Sequence, residues 1–445
     1  MTTETLPVLP ASDNDKTTAG NYFVSNYPPF SFWKPEYVNE VEAAMNRPPA
    51  PDRTLGMYVH IPFCRKRCHF CYFKVYTDRN AAAIKQYLDA VLAELASYVN
   101  RPFIGGRRPK YLYFGGGTPS YLSPEQLIYL TDGMKKLLPW DKMEEVAFEG
   151  EPGTLNERKL QAMVDFGVTR LSFGVEHFDD DILKANNRAH DSKATYKAYQ
   201  TARDVGFKQI NIDLIAGMVN ETPEKWREAV RKTIELDPEC VTIYQMEIPY
   251  NTTIYKEMKE SGLINAPVAD WHTKRQWVDD AFGELERHGY TVTSAYTAVK
   301  DPAKVRFVYR DELWRGADML SLGVSSFGII DGTHYQNEAN IDRYVERVEK
   351  GESPIFRAFT MNGEERFIRE FILQLKLGSV RRGYFKGKFG IDPAERYAGV
   401  LRQYADEGLA AIEPDAIRLS RQGLLQVDRL LHGFFLPRHR TDRIV

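Results

Sequence analysis

Cysteine is scarce in this chain: four in 445 residues, too few for the disulfide scaffold of a small secreted domain. Long apolar runs are missing as well. No stretch approaches the length of a membrane-spanning helix, and the polar opening Met1–Gly20 has no basic segment leading into an apolar one, so neither a membrane span nor a secretory signal is expected. Charge of one sign is also lacking. With 61 acids against 59 bases the net charge is −2, which gives no whole-molecule field to attract nucleic acid or an anionic membrane. Internal repeats and low-complexity blocks are absent. What is present is an ordinary globular composition, 43% apolar and 27% charged. The length is worth about three domains, or one large α/β barrel with appendages.

The chain divides by composition. Residues 1–20 read as a disordered tail. Residues 21–56, rich in aromatics and proline, read as an N-terminal arm lying across a larger body. From Met57 a strand–helix rhythm begins. Buried strands are expected at 57–62, 110–114, 145–149, 170–175, 209–215 and 240–246, with helical periodicity between them. The clearest helix is 81–99, where Ile84, Tyr87, Leu88, Val91, Leu92, Leu95 and Val99 recur at three- and four-residue spacing. Ser123 with Gln126 and Thr154 with Glu157 read as capping boxes, and Thr222-Pro223 as an N-cap before a first-turn proline. Repeated strand–helix units imply parallel strands with right-handed crossovers. No dinucleotide fingerprint follows any strand, so the expected fold is a partial (βα)6 barrel. Its extension runs to about residue 350, after a helix at 271–289. Residues 355–445 then read as a small helical, winged-helix-like domain with a strand pair near Ala411–Leu419. A winged helix invites a nucleic-acid reading, but fold alone carries no function. Arg438, Arg440 and Arg443 read as a solvated tail.

Three of the four cysteines fall in one short loop, Cys64, Cys68 and Cys71, directly after the first strand. Three soft thiolates in a C-x3-C-x2-C spacing suit an iron–sulfur cluster. Zinc is the alternative, with His60 or His69 as a fourth ligand. Three cysteines on a four-iron cluster leave one iron open, as catalysis at a metal requires. Arg65, Lys66 and Arg67 are placed to offset the negative charge. Further candidates stand at the C-terminal ends of the strands, where a barrel builds its active site. These are Gly115-Gly116-Gly117-Thr118-Pro119, Glu149 and Glu151, Glu176, and Asp213 within an apolar strand, with Arg188 in the helix after the fourth strand. A glycine run is by itself only a turn; at this rim its missing Cβ atoms would let backbone approach a ligand. Asp213 reads as an acid buried without a partner. His177, His190 and His334 read as exposed-loop residues, and Cys240 as a small buried one.

C-x3-C-x2-C with an aromatic before the last cysteine resembles the signature of radical S-adenosylmethionine (SAM) enzymes. YVHIPFC and GGGTP resemble the oxygen-independent coproporphyrinogen III oxidase-like family in particular, over about Asn21–Phe435. The leading Tyr22…Pro28 element, Tyr335-Gln336-Asn337 and Ala416–Phe435 follow the same pattern. The resemblance implies a 4Fe–4S cluster on Cys64, Cys68 and Cys71 and SAM on its open iron. One-electron reduction then cleaves SAM to methionine and a 5′-deoxyadenosyl radical that abstracts a substrate hydrogen, the cofactor carrying the hard chemistry. It further implies that Gly116, Gly117, Thr118, Glu149, Glu176, Arg188 and Asp213 form the SAM pocket, with Tyr58 and Phe70 lining it near the cluster. A second SAM is implied beside Met246 and Leu322–Ile330, where Gly323 and Gly328 equally suit a core strand.

The implied activity is a porphyrin-pathway oxidoreductase that decarboxylates two propionates of coproporphyrinogen III, drawing on an external one-electron donor. A cytoplasmic monomer acting on a tetrapyrrole, with no nucleic-acid partner, is expected. One departure stands out: the family usually has glutamine where Glu176 stands. Related radical C-methyltransferases, cyclopropane-forming enzymes and haem-cleaving or haem-binding relatives share the chassis, although no haem-binding signature of the related haem chaperones is found. A tetracarboxylate substrate also calls for arginines and lysines, and the sequence does not reveal which.

Overall fold

The computed structural model describes residues 19–51, 53–261 and 268–440. Nearly all of the expected tail, and Arg443, lie outside the described residues. Six strands carry the barrel: β1 (Leu55–Ile61), β2 (Tyr111–Gly116), β3 (Glu145–Gly150), β4 (Arg170–Glu176), β5 (Ile210–Ala216) and β6 (Cys240–Gln245). Each pairs in parallel with the next. Spatial order that follows chain order, with helices in every crossover, is a singly wound partial barrel. The six strands are buried almost throughout because helices cover one face and the barrel interior the other. That is why their sequences read as near-continuous apolar runs.

The sheet continues beyond both ends of this series. Past β6 come β7 (Thr291–Val292) and β8 (Thr297–Val299). Past β1 lie β9 (Asp318–Leu322), β10 (Phe327–Ile330), β11 (Thr333–Asn337) and β12 (Ile355–Thr360). β1 and β6 do not pair, so the barrel is open. The segment Leu322–Ile330 is a strand end, a turn and a strand, and its glycines serve internal packing. A Cβ at Gly323 would lie 2.3 Å from the Tyr87 hydroxyl, and one at Gly328 2.2 Å from the Tyr335 ring.

Helix starts follow local chemistry. Ser123 and Gln126 form a reciprocal capping box, and Thr222 accepts from the Lys225 N–H ahead of Pro223. The expected Thr154 cap is not used. Asn156 caps Glu157–Phe166 by accepting from the Lys159 N–H at 3.0 Å, while Thr154 ends a 3-10 turn and donates to the Glu151 carbonyl. Only the residue at the cap position itself can reach that N–H.

After Gly363–Leu375 come further helices and a small antiparallel sheet of β13 (Ser379–Arg381), β14 (Ala410–Ile412) and β15 (Ala416–Leu419), in the order β13-β15-β14. The arm is stitched to this region. Asn21 donates to the Leu425 carbonyl and accepts from the Arg429 N–H. The Val24 N–H donates to Asp428, and the buried Tyr27 hydroxyl meets His439 Nδ1 at 2.7 Å. Arg438 and Arg440 are solvent-exposed, as expected, but both also bond to the body of the protein. Arg438 pairs with Glu365 at 3.0 Å, and Arg440 donates to the Phe435 and Gly433 carbonyls, because the chain turns back at Pro437–His439 and buries His439. No helix among the described residues is long and apolar enough to cross a membrane.

Candidate active site

The loop leaving β1 carries Cys64, Cys68 and Cys71, all free thiols. It is held from several sides. Arg65 pairs with Glu151 at 3.1 Å and donates to the Ala189 carbonyl, and Arg67 donates to the Cys71 and Asn251 carbonyls. These two arginines therefore fix the shape of the loop, and their bonds run to a carboxylate and to carbonyls. Of the three loop thiols, Cys68 meets a cation: Arg188, which lies between the helices Asp180–Ala185 and Ser192–Asp204 rather than in the expected helix, places Nη1 3.3 Å from Cys68 Sγ. Cys64 Sγ meets Thr118 Oγ1 at 3.2 Å. Burial pushes the Cys64 thiol up to about 12 and that of Cys71 up to about 11, so ionisation there calls for a cation such as a metal.

The glycine run lies against this loop, and the protein itself fills the space left by its missing Cβ atoms. A Cβ at Gly116, whose φ is +121°, would stand 2.7 Å from the His60 ring; one at Gly117 would stand 3.0 Å from Cys64 Sγ. Close approach is needed, as expected, but the approaching groups are His60 and the cysteine loop. His60 is buried with Nδ1 3.1 Å from the Tyr58 hydroxyl. Among the described residues no three His, Cys, Asp or Glu groups converge to hold one metal ion.

Three carboxylates occupy the interior. Glu149 accepts from the Tyr113 hydroxyl at 2.6 Å and from the Gly116 N–H at 3.3 Å. Glu176 ends β4 at a register shift, in the left-handed region with φ +64°, and its Oε1 lies 3.7 Å from Arg188 Nη2. A Cβ at Gly174 would come within 3.1 Å of that same oxygen. Asp213 is not without partners: it accepts from Ser172 and Asn211, both at 2.8 Å, and Thr242 donates to Asn211 at 2.8 Å. Burial raises the pKa of all three acids. Glu149 goes to about 7, with Asp213 and Glu176 adding repulsion, and Glu176 to about 7, opposed by Arg188 and reinforced by Asp213.

The interior is also aromatic. Tyr58 stacks on Tyr113 with centroids 6.0 Å apart, and Tyr244 on Tyr296 at the same distance. Phe70 packs beside Met246, Ile215 and Met218, which brings the cysteine loop against the end of β6.

Sequence reading missed the Ser172–Asn211–Thr242 ladder, the Tyr113 bond to Glu149 and the role of His60. The signal was there. Tyr58 and His60 alternate on β1, and Ser172, Asn211 with Asp213, and Thr242 are polar insertions at matching register on adjacent strands. The three histidines read as exposed are all buried. His177 faces Glu221 at 3.1 Å, His190 faces Glu151 at 3.0 Å, and His334 stacks on Trp33. Strand ends and helix-entry turns bury their residues wherever another loop packs over them. Cys240 is buried as expected, with the Arg170 guanidinium 3.3 Å from its sulfur.

The residues present fit a cluster and SAM. Three free cysteines share one loop. Arg188 Nε is a buried donor with no partner, which suits an anionic group. Three desolvated acids beside it favour a cationic ligand bearing hydroxyls, the description of SAM.

Residues 58–233 match the model of the radical SAM superfamily. The chain is 28% identical over 382 residues to the heme chaperone HemW of Bacillus subtilis, covering 85% of this chain and 98% of that one. It is 26% identical over 400 residues to the oxygen-independent coproporphyrinogen III oxidase of Salmonella typhimurium, covering 86% of each. The structure of coproporphyrinogen III oxidase (HemN) from Escherichia coli, described as a radical SAM enzyme, superposes with a TM-score of 0.81 at 23% identity, over 93% of this chain and 96% of that one. That last likeness is one of fold.

Proposed function

We propose that this chain, whose residues 58–233 match the radical SAM superfamily, uses SAM on a cluster held by Cys64, Cys68 and Cys71 to take a hydrogen atom from a tetrapyrrole substrate in the tyrosine-lined barrel. When bound, the cluster and SAM supply a one-electron reductive cleavage that yields 5′-deoxyadenosine once a hydrogen atom has been taken. The observation that carries this reading is the convergence, at one barrel end, of the cysteine loop, the Arg188 contact to Cys68 and the three half-buried acids. Thr118 and Gly117 seat Cys64. Arg188 balances thiolate charge on one side and Glu176 on the other. Glu149 and Asp213, already oriented by Tyr113, Ser172 and Asn211, present acceptors to hydroxyls or an ammonium. Phe70 and Met246 close an apolar side that excludes water. The reading needs one SAM; of the second SAM region, Gly323 and Gly328 pack against Tyr87 and Tyr335.

The names of the relatives support a porphyrinogen as substrate. Removal of a hydrogen atom, carbon dioxide and one electron from a propionate leaves a vinyl group, the electron passing to an external acceptor. A second reading, radical modification without decarboxylation, is favoured by the charge of the mouth. Its acids are Glu149, Glu176, Asp213 and Glu247, whereas two of its lysines are already engaged: Lys376 with Asp428 at 2.6 Å and Lys274 with the Met246 carbonyl at 2.7 Å. Anaerobic turnover of coproporphyrinogen III, read by mass spectrometry, separates the two. Loss of carbon dioxide with gain of vinyl groups is expected of the first. S-adenosylhomocysteine with a methylated ring, and no decarboxylation, would replace it with the second.

A further inference from the structure

A cation-rich region lies at the opposite end of the barrel. A cavity of about 420 Å³ opens there, walled by Arg53 and Thr54 entering β1, Arg315 and Ala317 entering β9, and the helices Gly363–Leu375 and Arg382–Phe389. The seven residues of β1 separate it from the cysteine loop by about 20 Å at the usual rise per residue. It is therefore a different site from the one assigned to SAM.

Five cations line it, Arg53, Arg315, Arg366, Arg369 and Lys388, against two acids, Glu312 and Glu370. Both acids are already engaged. Glu370 accepts from Lys388 at 2.7 Å and from Tyr384 at 2.6 Å; Glu312 accepts from Lys110 at 2.8 Å and from Thr54 at 3.0 Å. Arg53 and Arg366 share Asp331, at 3.1 and 3.7 Å.

Two guanidiniums remain. Arg315 makes no side-chain hydrogen bond or ion pair with any described residue. Arg369 is only 2% exposed, yet its bonds go to neutral oxygens, Asn26 Oδ1 at 2.9 Å and the Leu313 carbonyl at 3.1 Å, and its Nη2 makes none. Burial pushes its pKa down to about 10, with Glu370 only partly opposing. A buried charge held by neutral partners alone is costly unless an anion completes it. Ile329, Met361 and Phe389 add apolar wall, so the space suits an organic anion better than a bare ion.

We propose that this cavity is a second ligand site, for a small molecule carrying at least two carboxylate or phosphate groups gripped by Arg315 and Arg369. Guanidiniums are suited to this because their fork matches either oxyanion. Ligand binding here would also tie Gly363–Leu375 and Arg382–Phe389 to the base of the barrel and raise thermal stability by mass action.

The test is calorimetric titration of the full-length protein with citrate and, separately, with pyrophosphate, at constant ionic strength set by chloride, alongside thermal melts. At least one probe is expected to bind and to raise Tm, with affinity falling about tenfold or more in Arg315→Gln and Arg369→Lys. Citrate alone would assign a carboxylate ligand and pyrophosphate alone a phosphorylated one. Failure of both probes to bind, or binding unaltered by the substitutions, would overturn the proposal. Should Arg369→Lys not fold, the half-buried Arg315→Gln, checked by circular dichroism, decides alone. SAM cleavage is expected to be unchanged in Arg315→Gln, which keeps this result separate from that of the radical chemistry.

Discussion

Glu176 stands where the family resemblance leads one to expect glutamine, and the structure shows what the extra charge meets: Arg188 at 3.7 Å and, beyond it, Asp213 and Glu149. Its folded pKa of about 7 lies above the ordinary value of 4.5. The folded state thus holds a proton that the unfolded chain releases, and stability contributed by that proton is lost as pH rises from about 4.5 to about 7. Glu176→Gln is therefore expected to leave Tm nearly unchanged near pH 5. It should stabilise the cofactor-free protein by up to about 3 kcal/mol near pH 8; melting curves across that range check it, and a difference independent of pH would contradict it. At Gly116 the expectation is opposite in sign. An alanine there meets the buried His60 ring in a backbone conformation that L-residues disfavour, so Gly116→Ala should cost about 2 kcal/mol or more, measured by urea unfolding. Gly116 was legible in the sequence as part of a close approach. What approaches was not, because His60 lies some 56 positions away and only strand pairing brings the two together.

Among the elements, the strands and crossover helices were the most readable part. β1 begins at Leu55, two positions before the expected 57, and the helix expected at 81–99 spans Ala81–Tyr98. Periodicity reports which residues face a core, and these elements have one core face or two. It failed at polar residues that the fold buries. Glu94 lies on the buried face of the 81–98 helix, three residues after Val91 and seven after Tyr87, where its charge hides it from a reading of apolar residues; it is 1% exposed and accepts from the Gly323 N–H, Asn337 and Tyr344 at 2.8, 2.6 and 2.5 Å. It joins the helix to β9 and β11. Glu94→Ala would leave those donors buried and unpaired, and a loss of about 3 kcal/mol is expected in chemical denaturation. A loss below about 0.5 kcal/mol, the range of ordinary surface substitutions, would mean the network is not structural. β13 escaped notice because three residues are too few to show alternation.

At the scale of the whole molecule, the arm, the barrel and the C-terminal region meet at one buried ion pair. Lys376 bonds Asp428 at 2.6 Å and the Val24 carbonyl at 2.6 Å, while Asp428 accepts from the Val24 N–H at 2.8 Å. Asp428→Asn would strand the ammonium of Lys376 in a dry site. A loss of about 3–5 kcal/mol is expected, with limited proteolysis cutting first in residues 19–30; cleavage unchanged from wild type would remove this joint from the account. Such long-range stitching cannot be read from local pattern, since residues 24 and 428 stand at opposite ends of the chain. The cysteine loop could be read because its three thiols lie within eight consecutive residues, and the acids around it only in part, because their partners come from neighbouring strands. Radical SAM chemistry at that loop is the central claim. Its most direct test is anaerobic reconstitution with iron and sulfide, reduction with dithionite in the presence of SAM, and chromatography for 5′-deoxyadenosine. The wild-type protein is expected to form it and Cys68→Ala to form none; absence from a reconstituted wild type, or equal amounts from Cys68→Ala, would contradict the account.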